Sequence, residues 1–319
     1  MRPSLPSRKR MWMAWLEAGP LHIGALHGII KGYIGFEAIC LHSFDCPSRA
    51  LVAMRDGTIV SGCMEKNINL CDPMGSRLHQ IIDHPGVYSL NTQLDAKLVV
   101  GGANGLISVL SIPDYVCLQE LSGGLGPVFV LVAMSDNRLA SGSTDCTIRV
   151  WDLTTGTCIM ILEGHQFPVF ALEMLPSGLL ASGSGDGTIR LWDTTSMTCV
   201  NVLAPSRPLL TSRVNALALL PDGNLASAAS DATVRVWDTI EGVCLYTLRG
   251  HRWSIWSLVV LPDGLLASGS SDTVCVWDTI KRECVMQFRH DHKNTILNFA
   301  VLPGGELVTS SGNKAYVWE

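Results

Sequence analysis

Leu139-Ala-Ser-Gly-Ser-Thr-Asp-Cys-Thr-Ile-Arg-Val-Trp-Asp152 returns with few changes at 180–193, 225–238 and 266–278. Each copy reads as a β-hairpin. A Leu-Ala-Ser strand runs into a tight turn holding Asp145, Asp186, Asp231 or Asp272. A second strand then alternates, with Ile148 and Val150 on one side and Arg149 and Trp151 on the other. The terminal Trp-acid pair occurs five times, at Trp151, Trp192, Trp237, Trp277 and Trp318, spaced 41, 45, 40 and 41 residues apart.

Outward from each hairpin the pattern fills a four-stranded unit. An apolar strand such as 169–175 or 255–261 precedes it, closed by a Pro-Ser-Gly or Pro-Asp-Gly turn. A fourth strand such as 158–162 follows the Trp-Asp pair. Two earlier units, 58–72 and 97–111, fit the frame without the tryptophan, and 306–319 keeps Trp318 but is one residue short around Asn313. Seven units result. A repeat of this length ending in Trp-Asp, with Gly-His upstream, resembles the WD-repeat family, and the resemblance implies an all-β, seven-bladed WD-repeat β-propeller.

Ring closure is predicted from the ends. The last unit stops at Glu319 after three strands, and Phe36-Glu-Ala-Ile-Cys-Leu41 with His42 matches the pattern of 157–162 with His165. The N-terminal segment is therefore expected to complete the last blade beside Tyr316–Trp318, since an open ring exposes a strand edge. The chain divides into a tail, residues 1–33, and a propeller, 34–319. The tail starts basic, and its apolar runs are too short to span a bilayer. It reads as a linker or partner-binding tail rather than an organelle-targeting segment.

Composition supports a compact fold, with 47% hydrophobic and 16% charged residues. A net charge of −5 offers no basic stripe for nucleic acid or anionic lipid, so neither is an expected partner. Five of the eleven cysteines, Cys117, Cys158, Cys199, Cys244 and Cys284, share one repeat position after the Trp-acid turn. Disulfides require Cα atoms within about 7 Å, which successive blades do not provide. These five are expected to be buried packing thiols of a cytoplasmic protein. No Cys-x-x-Cys occurs, which weakens a zinc reading.

The tempting chemistry reads as scaffold. His165, Ser182 and Asp186 would make a proton-relay triad if they met, yet His251, Ser268 and Asp272 repeat the set. In the family that this chain resembles, His bonds Asp and Ser, and Trp bonds Ser, within one blade. Gly124 and Leu210 replace the histidine in two other units. Gly183–Gly187 joins two strands rather than a strand to a helix, so it is no phosphate loop. His290, His292 and Cys284 are close in sequence, but His292 occupies the Gly-His position. No catalytic residue, metal ligand or cofactor is expected.

Binding is expected on the loop face that leads into the first strand of each blade, the resemblance pointing to that face. One residue per blade is predicted at the rim: Arg49, Tyr88, Phe129, Phe170, Asn215, Trp256 and Leu297. Phe167, Arg213, Arg252 and Trp253 add to it from neighbouring loops. Aromatics and arginines are the types enriched at interface hot spots. The expected ligand is a protein or an extended or short helical peptide, with acidic or phosphorylated character matched by Arg213 and Arg252.

The leading functional reading is a non-enzymatic scaffold or adaptor, the propeller itself monomeric. The alternative is the substrate-recognition subunit of a ubiquitin ligase, whose F-box/WD-repeat hairpins these resemble. That reading needs an F-box helical module, which about 33 residues are too few to hold. A catalytic propeller would need a polar cluster outside the repeat pattern, and the sequence offers none.

Overall fold

The computed structural model describes residues 38–46, 48–64, 67–81, 84–92, 97–205, 212–271, 273–289 and 295–319. Seven antiparallel four-stranded sheets make up the unit Ile39–Glu319, and among the described residues there is no helix. Six sheets follow chain order: blade 1 (50–81), blade 2 (87–121), blade 3 (128–162), blade 4 (169–203), blade 5 (214–249) and blade 6 (257–289). Blade 7 takes three strands from 296–318 and its outer strand from Cys40–Asp45. Each inner strand packs on the next, and Ile296–Val301 returns to Ala50–Ala53, which closes the ring.

The Ser-Gly-Ser run explains how blades meet. A Cβ added to Gly62, Gly142 or Gly183 would stand 2.3, 2.7 or 2.5 Å from the side chain of Val87, Val169 or Val214. Glycine in the second strand thus leaves the space filled by the valine that opens the next inner strand. The cores lie between blades: Val99, Ile107 and Val109 of blade 2 pack with Leu139 and Trp151 of blade 3, and the pattern repeats around the ring. Burying each large apolar side chain contributes about 1.5–3 kcal/mol. Blades 1 and 2 place Cys71 and Leu110, both buried, where the others have tryptophan.

Closure occurs as expected, but with a different stretch of chain. The outer strand is Cys40–Asp45 on Lys314–Trp318, and Ile39 exchanges backbone bonds with Glu319 at 3.2 and 3.1 Å. Cys40 faces Trp318 as Cys158 faces Trp151, each beside a bulge. The apolar match of 36–41 to 157–162 therefore set the segment about three residues too early. Phe36 and Glu37, like the tail boundary at residue 33, lie outside the described residues.

The repeat cysteines also require correction. All eleven are free, but Cys117, Cys158, Cys244 and Cys284 are exposed and Cys199 is partly so. They sit on outer strands, which have a strand neighbour on one side only, and each lies beside a bulge in the pairing with the third strand. Cys158 and Cys244, for example, contact the carbonyls of Met160 and Tyr246 at 3.4 and 3.5 Å.

Candidate functional site

Within the blades the polar set is structural. Trp151, Trp192, Trp237 and Trp277 donate from Nε1 to Ser141, Ser182, Ser227 and Ser268 at 2.7–2.8 Å. Trp318 donates to Thr309 at 2.9 Å. In blade 4, His165 bridges Asp186 Oδ2 (Nδ1, 2.8 Å) and Ser182 Oγ (Nε2, 2.7 Å). In blade 6, His251 Nε2 meets Ser268 Oγ at 2.6 Å. Asp272, Leu210, His290 and His292 lie outside the described residues. Among the described residues no group of three or more His, Cys, Asp or Glu could hold a metal ion.

The hairpin aspartates show what a missing histidine changes. In blade 3, where Gly124 replaces it, Arg149 Nη1 donates to Asp145 Oδ2 at 2.7 Å. In blade 5, Arg235 pairs with Asp231 in the same way. In blade 4, where His165 holds the carboxylate, Arg190 turns instead to Cys199 Sγ at 3.7 Å and the Trp192 ring. Burial works against the Asp186 carboxylate, but bonds from His165 and Thr188 hold it well below the usual carboxylate range. Burial likewise opposes ionised Asp145, which Thr147 and Arg149 keep below that range.

The arginines should therefore differ in worth. Arg149→Ala and Arg235→Ala each leave a largely buried carboxylate short of its cation and should cost about 1–3 kcal/mol. Arg190→Ala should cost less than about 1 kcal/mol. Urea unfolding of the three variants measures this, and equal losses would refute the exchange of partners.

The rim is built differently, from irregularities in the inner strands. Ladder pairing skips one residue between Val87 and Ser89, Val128 and Val130, Val169 and Ala171, Val214 and Ala216, and Ile296 and Asn298. The skipped residues are Tyr88, Phe129, Phe170, Asn215 and Leu297. Bulges re-aim a side chain, and here they aim into the axial opening. Arg49 and Trp256 hold the same register, bonding Gly62 and Gly269 across the blade at 2.8 Å.

These side chains form one stack. Arg49 lies 4.1 Å over the Tyr88 ring, Tyr88 lies 5.4 Å from Phe129, and Phe129 stacks on Phe170 at 4.9 Å. The Arg213 guanidinium is inserted between Phe170 (4.5 Å) and Trp256 (4.7 Å). Its Nε donates to Asn215 Oδ1 at 2.6 Å, and Asn215 Nδ2 donates to Ile255 O at 2.6 Å. Burial lowers the Arg213 pKa, and among the described residues no ion pair engages Arg213 or Arg49. An axial cavity of about 220 Å³ opens between the rings, lined also by Leu297 and Asn298.

Six of the eleven rim residues expected from sequence thus line this cavity, and Arg49 and Arg213 join them through the stack. Phe167, Arg252 and Trp253 are exposed and lie outside the cavity lining. The sequence reading missed Asn298, which donates to Arg49 O at 2.5 Å, and Ser89, which donates to Val128 O at 2.9 Å. Both join one inner strand to the next. A polar residue just after the rim position was the available signal.

Comparison with known proteins agrees with this architecture. The family model "WD domain, G-beta repeat" matches residues 115–152, 156–193, 197–238 and 242–278. The chain belongs to the WD-repeat family. Among solved structures it is similar to the WD40 β-propeller domain of Doa1, at 22% identity over 88% of this chain and 97% of that one, with a TM-score of 0.77. That likeness speaks for the fold. A search of curated protein sequences finds no significant match. Propellers of this family generally mediate protein–protein interaction and are typically not enzymes. Among the described residues no helix is long and apolar enough to cross a membrane.

Proposed function

We propose that this propeller is a non-enzymatic adaptor that seats a protein segment across its axial opening. The observation carrying this reading is Arg213, a guanidinium held between Phe170 and Trp256 without a carboxylate partner among the described residues. Desolvated arginines and large rings are the usual anchors of interfaces. Arg49 on Tyr88 ends the same stack. Two cations without an ion pair among the described residues favour an acidic or phosphorylated segment. Phe167, Arg252 and Trp253 stand ready as an outer contact, with Phe167 57% and Trp253 61% exposed.

The eleven free thiols support a reducing compartment, hence the cytoplasm. In this reading the propeller acts as a monomer and residues 1–33 serve as a linker or tail. The ubiquitin-ligase reading adds a helical module to the same rim, and no feature of the rim favours it.

Affinity capture followed by titration of the captured partner tests the site. Trp256→Ala and Arg213→Glu should each weaken binding by about 2 kcal/mol or more, roughly thirtyfold. Recovery of the same partners at the same affinity by folded variants would remove the rim from consideration.

A further inference from the structure

Arg213 is held on every side but one. Phe170 and Trp256 cover the two faces of its guanidinium at 4.5 and 4.7 Å. Its Nε is committed to Asn215 Oδ1 at 2.6 Å, and Asn215 is in turn fixed on Ile255 O. Among the described residues Nη1 and Nη2 make no hydrogen bond, so the open side is the outer fork of the group. With both faces covered, an acceptor can approach only in the plane of that fork. A planar acceptor with two oxygens fits the approach by two parallel bonds. The side chain is half-buried, burial alone lowers its pKa, and among the described residues no carboxylate answers it.

The charge that the rim can take follows from where its cations stand. Arg49 lies over Tyr88 at the other end of the stack, with the rings of Tyr88, Phe129 and Phe170 between it and Arg213. Three rings apart, each arginine meets an anion of its own. Among the described residues lining the cavity beneath, none is charged. Two residues on from each rim position stands a leucine in blades 1 to 6 and Phe299 in blade 7. A phosphoryl group, with close to two negative charges, would face one half-buried guanidinium above a layer that supplies no second cation. A carboxylate carries one charge, and one guanidinium balances it.

We infer that the segment seated on this rim is acidic and unphosphorylated: one Asp or Glu carboxylate fills the Arg213 fork, and a second acidic side chain of the same segment meets Arg49. This rests on the seat proposed above. A lone terminal carboxylate would satisfy one arginine and leave the other, so the acids are side chains of a segment that crosses the opening.

A bead library of dodecapeptides with blocked ends, in which phosphoserine is one of the residue choices, tests this on the full chain. Selection should enrich Asp or Glu at two positions and leave phosphoserine unenriched. Arg213→Gln should lose the preference at one position and Arg49→Gln at the other. For the best peptide, replacing the first acid by its amide should weaken binding to the unaltered chain roughly tenfold or more, but binding to Arg213→Gln by less than about twofold, read by fluorescence anisotropy. Arg213→Lys should also bind more weakly, since an ammonium keeps the charge without the planar fork. Thermal melting of each variant verifies its fold. Binders that Trp256→Ala leaves untouched, or a library without binders, would remove the seat and the inference together. Binders lost with Trp256→Ala yet enriched in phosphoserine, or indifferent to Arg213→Gln, would overturn the inference and leave the seat standing.

Discussion

A chain shortened to begin at Cys46 is expected to lose cooperative thermal unfolding. It would lack the strand Cys40–Asp45, leaving the outer side of Lys314–Trp318 without its ladder partner. It would also lack Phe44, which packs on the core shared by blades 7 and 1 around Leu51, Ile59, Val308 and Val317. An unpaired apolar edge is an aggregation template. Losing a strand and its share of a core removes an energy comparable with the whole stability of a domain, about 5–15 kcal/mol. Circular dichroism melting and light scattering measure the outcome. A monomer that melts as the full chain does would show that three strands suffice for blade 7. A chain beginning at Ala38 should keep the transition, because it retains both backbone bonds between Ile39 and Glu319.

Glu173→Val should stabilise the protein by about 2 kcal/mol at pH 8 and by much less at pH 5. Glu173 lies on the inner strand Val169–Met174, paired with Ala181. Blades 3, 5, 6 and 7 place Val132, Ala218, Val259 and Ala300 at that register. Burial pushes its carboxyl up to about 7 from 4.5. A carboxyl whose folded pKa is raised binds a proton on folding between those values, so stability falls as pH rises through that window and the full cost applies above it. Asp145, Asp186 and Asp231 act with the opposite sign, since their folded values are depressed. Their contribution is present above the ordinary carboxylate range and lost as pH falls through it. Guanidinium unfolding at pH 5 and pH 8 separates the two groups. An equal effect of Glu173→Val at both values would show that its carboxyl titrates normally.

The blades were legible in the sequence because each hairpin states its own rules. Asp186 accepts from the Thr188 backbone at 2.9 Å, Gly183 leaves space for Val214, and Trp192 bonds Ser182. These are local constraints that recur, so even the units with Cys71 and Leu110 in place of tryptophan could be placed. The closing strand was harder. Apolar alternation fits several offsets, and the landmark was Cys40 at the position of Cys158, with its bulge, rather than the apolar residues. Cysteine burial was misjudged for a related reason, since repeat position fixes a place in a strand but not which blade surface meets solvent. Of the seven one-per-blade positions expected at the rim, six line the cavity, while Phe167, Arg252 and Trp253 lie outside it. The continuity of the rim was not legible, because the Phe170–Arg213–Trp256 stack joins blades through space.

The seam of blade 7 also sets a timetable for biosynthesis. Cys40–Asp45 leaves the ribosome about 270 residues before Lys314–Trp318. At roughly 5–20 residues per second, that strand waits between about 15 and 55 s for its mate. Nascent blades can stack meanwhile, but the circle is sealed only once Lys314–Trp318 has emerged. A cell must therefore shelter one solitary ribbon until the last blade has been made.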